Sequence, residues 1–117
     1  MANSIEKLRQ TGQSIWYDNI SRKMIATGDL QQLIDNGITG LTSNPTIFQK
    51  AIAETSDYDQ DISRLGSKTQ AEIFEKLGIE DTQQAAYMLS PIYEKSGRVD
   101  GYPSFEVNPH LAHDTGL

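Results

Sequence analysis

A chain of 117 residues suits one domain with a modest core. Sixteen acidic residues against ten basic ones give a formal charge of −6, which repels nucleic-acid phosphates and anionic lipid, so neither nucleic acid nor membrane is an expected partner. The absence of cysteine excludes disulfides, a thiolate nucleophile and a Cys-based zinc site, and no apolar run reaches signal-peptide or membrane-spanning length, so a soluble, cytoplasmic segment is expected.

Taken in order, Ser4 to Gln10 reads as a short helix with Ile5 and Leu8 on one face, ended by Thr11-Gly12. Ser14–Asp18 is rich in aromatic and β-branched residues and reads as a strand with Asp18 at its end. Asp29, with Gln32 three residues on, has the spacing of a capping box and opens a helix that Asn36-Gly37 stops. Ile38–Thr42 is a second strand. Asn44 and Pro45 open the next helix, Asn as cap and Pro where its missing N–H costs nothing. Ile47, Phe48, Ala51 and Ile52 form its buried stripe, and Tyr58, Ile62 and Leu65 continue with helical spacing to Gly66. A short helix is expected from Thr69 to Leu77, closed by Gly78, and a separate one capped by Asp81 and kinked at Pro91. The like-charged pair Glu80-Asp81 reads as solvated surface. Gly101 to Val107 is a third strand, ended by Asn108-Pro109.

Strands alternating with helices imply an α/β fold with a parallel sheet and helical crossovers. Three strands is a low count for a complete α/β domain of this length, and the pattern stops after a strand and loop. The chain is therefore expected to be the start of a larger fold.

In parallel α/β folds, reactive side chains gather where strands end. The three ends here carry Asp18, then Thr42-Ser43-Asn44, then Glu106. Two carboxylates, a hydroxyl pair and an amide on one rim could position and protonate a polyhydroxy substrate, since a carboxylate partly withdrawn from water trades protons nearer neutrality. Each has a plainer reading. Asp18 could cap the following helix, Asn44 caps one whatever else it does, and Thr42 and Ser43 could serve loop amides. Glu106, between Phe105 and Val107, is costly in a strand unless paired. Trp16, Tyr17 and Phe48 read as core. His110 and His113 stand three apart without a helix to display them, and no metal or other cofactor is expected.

Three blocks carry a family resemblance: Gly12–Ile20 (GQSIWYDNI), Gly37–Phe48 (GITGLTSNPTIF) and Gly101–Thr115 (GYPSFEVNPHLAHDT). They closely resemble successive blocks of bacterial transaldolases, in the family's order, from about Leu8 to Thr115. The resemblance implies a class I aldolase-like (β/α)8 TIM barrel of which residues 1–117 hold the first three β/α units, the N-terminal portion of a single barrel domain. It implies transfer of a dihydroxyacetone unit from a ketose phosphate, such as sedoheptulose 7-phosphate or fructose 6-phosphate, to an aldose phosphate in the pentose phosphate pathway. A lysine forms a Schiff base with the ketose, and the iminium is the electron sink for carbon–carbon cleavage. By motif, Asp18 matches the proton-transferring aspartate, Glu106 the glutamate acting through a bound water, and Thr42 the threonine holding that water. Asn44 matches the substrate-binding asparagine, and Ser43, in the same motif without a role of its own in the family, is expected with it on the substrate-binding side.

Two departures bear on the third strand. Pro103 stands where the family has a β-branched residue, so the strand is expected to start late or weaken. Phe105 replaces a smaller side chain. The family's acidic residue after Asp-Thr is Gly116 here, followed by Leu117. The Schiff-base lysine falls on the family's next strand. Lys7, Lys23, Lys50, Lys68, Lys76 and Lys95 all lie in helical or polar segments, without the desolvation a neutral lysine needs. The chain by itself is thus expected to be an inactive fragment of a transaldolase; a non-catalytic binding or assembly module built from a truncated barrel is the alternative. Its open sheet edges are expected to draw self-association or complementation by the missing C-terminal part.

Overall fold

The computed structural model describes residues 3–116; Met1, Ala2 and Leu117 lie outside them. The order is α1 (Ser4–Gln10), β1 (Trp16–Tyr17), α2 (Arg22–Thr27), α3 (Asp29–Asp35), β2 (Gly40–Ser43), α4 (Pro45–Glu54), α5 (Asp59–Arg64), α6 (Gln70–Lys95) and β3 (Tyr102–Phe105), then a 3-10 turn at Pro109–Leu111. The strands form one parallel sheet in the sequential order β1-β2-β3, the parallel pairing being what the alternation of elements implies. Three strands do not close a barrel, and β1 and β3 are its edges.

Each strand is shorter than its sequence pattern. β1 keeps two of five expected residues, and β2 starts at Gly40 rather than Ile38. Pairing nevertheless begins earlier, because the Thr39 N–H donates to the Ile15 carbonyl at 3.0 Å and the Gly101 N–H to the Thr39 carbonyl at 2.8 Å. Pro103 lies inside β3, opposite Leu41, and does not interrupt the register. Two residues beyond Gly101, its nitrogen turns to the same side, so the ladder lacks one donor there while pairing continues on both flanks. The Ser43 hydroxyl adds a bond of 2.6 Å to the Ser104 carbonyl.

Helix α2 has no counterpart in the sequence reading, and it displaces the expected start of α3. Ser21 caps α2, accepting from the Met24 N–H at 3.2 Å. Gly28, at φ 86°, links α2 to α3 in one left-handed residue and becomes the cap of α3. Asp29 therefore sits inside the first turn and accepts from the Thr27 hydroxyl at 2.8 Å.

The two helices expected over 69–92 are one, the 26-residue α6, opened by a capping box between Thr69 and Glu72. Gly78 is not a terminator. It is buried in mid-helix, and a Cβ there would meet the Phe105 ring at 2.8 Å and Phe48 at 3.5 Å. Its bare backbone lets α6 settle onto β3, which also accommodates the large Phe105. Pro91 leaves the Tyr87 carbonyl without its helical donor, and the Ser90 hydroxyl takes that place at 2.8 Å. The core joins Ile20, Leu30, Leu41, Phe48, Ala85 and Leu89, with Phe105 and Tyr17 against it, all on the helix-covered face of the sheet. Trp16, expected in the core, is 39% exposed and lies over Gly40 on the other face. Gly78→Ala gains about 1 kcal/mol of helix propensity but forces the Phe105 ring to move; a net loss of about 1–2 kcal/mol is expected in urea unfolding.

Candidate active site

Side chains alternate along a strand, so residues in register share a face. Leu41 and Ser43 turn to the helices, and Gly40 and Thr42 turn to the uncovered face. Asp18, one residue past β1, comes to the same side: the Thr42 hydroxyl donates to its Oδ1 at 2.5 Å. Asp18 does not cap a helix, since Ser21 takes that role for α2. Asn44 does, accepting from the Ile47 N–H at 3.0 Å. Asp18, Asn44 and Glu106, with Pro45, Thr46, Ile47 and Lys50, line one cleft of about 400 Å³ at the C-terminal ends of the strands.

The cleft is open, and both Asp18 and Glu106 are exposed. Glu106 lies beyond the last residue of β3, so the expected burial between apolar neighbours does not arise; Val107 beside it is 60% exposed. Ser43 is 3% exposed and its hydroxyl is engaged with β3, which separates it from the cleft that its neighbours line. All six lysines are exposed, Lys50 at the cleft wall included. His110 lies in the 3-10 turn and His113 just after it, and among the described residues no three His, Cys, Asp or Glu side chains gather as a metal site. Among the described residues no helix is long and apolar enough to cross a membrane.

A second cluster escaped the sequence reading. Asp81, expected as a helix cap on a solvated surface, is buried at 2% exposure in the middle of α6. The Tyr58 hydroxyl donates to its Oδ2 at 2.6 Å and Arg22 Nε to its Oδ1 at 2.9 Å. The Arg22 guanidinium lies 4.6 Å from the Tyr58 ring centroid and also pairs with Asp61 and, at 3.6 Å, with Glu80. Burial pushes the Asp81 carboxyl above its ordinary value, the bonds from Tyr58 and Arg22 holding it back. Burial, then the bond to Asp81, pushes the Tyr58 phenol well up. Burial works against the Arg22 charge, but the bond and charge of Asp81 outweigh it and raise its pKa. The sequence did hold a signal: Leu77, Asp81, Ala85 and Leu89 follow one another at steps of four, which puts the carboxylate in the buried stripe.

A family profile described as Transaldolase/Fructose-6-phosphate aldolase matches residues 15–116. The chain is 48% identical over 117 residues to Transaldolase 2 of Nostoc sp. (strain PCC 7120), covering 97% of this chain and 30% of that protein. It is 44% identical over 118 residues to a transaldolase of Trichodesmium erythraeum, covering 98% of this chain and 31% of that one. Against Transaldolase 2 of Streptomyces coelicolor the identity is 41% over 118 residues, covering 98% and 32%. The chain thus spans less than a third of the length of these curated relatives. It belongs to the transaldolase/fructose-6-phosphate aldolase family.

Proposed function

We propose that this chain supplies the first three strands and the acid–base rim of a transaldolase barrel, whose Schiff-base lysine comes from sequence outside these 117 residues. The observation that carries the reading is the cleft in which the ends of three parallel strands bring Asp18, Asn44 and Glu106 together. Asp18 takes the proton from the hydroxyl on the carbon being cleaved away and returns it in the reverse direction. The Thr42 hydroxyl orients that carboxylate through its hydrogen bond and helps hold the water through which Glu106 works in Schiff-base formation and hydrolysis. Asn44 offers its amide to substrate hydroxyls while its oxygen caps α4, and Ser43 braces the motif through β3. Sugar phosphates of the pentose phosphate pathway are the substrates, and the cytoplasm is where such substrates are met.

Two open sheet edges fit completion of the barrel by further strands, from the same or a separate polypeptide, or self-association when none is supplied. The test is to incubate the chain with fructose 6-phosphate and erythrose 4-phosphate and to trap with borohydride, alone and after supplying a relative's remaining strands. No turnover and no sugar adduct are expected from the 117 residues alone, and both are expected on completion. An adduct on the isolated chain, or a folded completed protein without activity, would overturn the reading.

A further inference from the structure

We propose that Tyr58, Asp81 and Arg22 form a clamp that fixes the position of Asp18, and that Tyr58 is its positioning residue. The inference rests on the reading of Asp18 as the acid–base group.

Asp18 opens the four-residue link between β1 and α2, and Arg22 is the first residue of α2. Helix α2 has six residues, none of them fully buried; Met24 and Ile25 pack against the core, and its first turn needs further partners to fix the chain entering it. The first amides of a helix lack internal acceptors. In α2 the Met24 N–H is met by Ser21, and the Arg22 N–H by the Tyr58 hydroxyl at 3.0 Å. That hydroxyl is fixed in turn, because its proton goes to Asp81 on the long helix α6. The other oxygen of Asp81 takes Arg22 Nε. Arg22 is therefore gripped by main chain and side chain through a Tyr58 that is 0% exposed. Between Arg22 and Asp18, Ile20 is packed in the core at 1% exposure. The segment that carries Asp18 is thus tied at its far end to α6 and at its near end by the Thr42 hydroxyl. A shift of the far end is transmitted along this short segment to the hydrogen bond of 2.5 Å between Thr42 and Asp18.

Tyr58→Phe keeps the ring and removes only the hydroxyl. The readouts are the side-chain carboxyl 13C resonance of Asp18 and amide exchange at Arg22, in the 117-residue chain, with Thr42→Val marking the resonance of Asp18 once its hydrogen bond is lost. The Arg22 amide should exchange about tenfold faster, the loss of one hydrogen bond. The Asp18 resonance should move at least half way to its position in Thr42→Val, while Leu89 in the core keeps its protection. An unmoved Asp18 beside an exposed Arg22 amide overturns the clamp and leaves Tyr58 holding α2 alone. Should Tyr58→Phe fail to fold, Asp81→Asn, which keeps the shape of the side chain but cannot hold both donors as a carboxylate does, is read by the same two signals with the same expectations. None of this depends on turnover. Wild-type activity of Asp18→Asn in a completed barrel would defeat the functional reading while the coupling of Tyr58 to Asp18 stood.

Discussion

Replacing Arg22 with methionine is expected to destabilise the chain by about 3–5 kcal/mol at neutral pH, because it leaves the buried Asp81 carboxylate without its cation. The side chain of Asp81 is 3% exposed, so water cannot take over from the guanidinium. The loss is pH-dependent, and its sign follows from proton binding. Burial already raises the Asp81 carboxyl above 3.8, and without Arg22 it rises further. In the window between 3.8 and the raised folded value, the folded state binds more protons than the unfolded one, so stability falls as pH rises. The deficit of Arg22→Met should therefore be largest at neutral pH and shrink as Asp81 takes up a proton in acid. Asp61 works the other way: its bond to Arg64, then the charge of Arg22, lowers its carboxyl, and that stabilisation is lost as pH falls through the lowered value. Urea unfolding of Arg22→Met and of Arg22→Met/Asp81→Leu across this range separates the two. The double variant should recover most of the loss and lack the Asp81-dependent slope. A deficit that stays constant with pH would show that Arg22 contributes packing on Tyr58 rather than compensation of Asp81.

The features readable in the sequence were those set by local chemistry. Asn44-Pro45 marks a helix start in the chain and in the structure, and Gly37 ends α3 at φ 112°. The parallel pairing of the strands followed from the alternation of elements with right-handed crossovers, and the structure brings Asp18, Asn44 and Glu106 to one rim. What escaped was set by contacts between distant residues. Gly78 and Asp81 each look like a helix boundary when only their neighbours are considered. In the fold, the first is a gap for Phe105 and the second the acceptor of Tyr58 and Arg22, so α6 runs through both. Helix α2 escaped for the same reason: six residues with only Met24 and Ile25 partly buried against the core carry little periodic signal, and the bond at its first amide comes from Tyr58, 36 positions away. The exposure of Glu106 follows from where β3 stops, which the apolar residues on either side of it did not reveal.

In a barrel completed with the remaining strands, Asp18→Asn should reduce carbon–carbon cleavage by on the order of 10²-fold or more, the usual loss on removing a positioned acid–base group. The substitution is a clean one at this site. The amide oxygen of asparagine can still accept from the Thr42 hydroxyl, so that hydrogen bond is kept while the capacity to take a proton is lost. In the proposed mechanism Schiff-base formation precedes cleavage, so borohydride should still trap a sugar adduct in this variant, and the adduct should accumulate. Glu106→Gln should show the opposite split. On the proposed reading Glu106 serves formation and hydrolysis of the Schiff base through a bound water, so adduct should appear slowly, with a loss of similar order in turnover. The two carboxylates follow the two edge strands of the sheet, and Asn44, after β2, lines the same cleft. Comparing single-turnover cleavage with the rate of trapping in the same preparations gives the decision. Equal effects of both substitutions on both steps would remove the division of labour. Wild-type cleavage by Asp18→Asn would reduce Asp18 to a hydrogen-bond acceptor for Thr42, and the acid–base reading of the rim would fall.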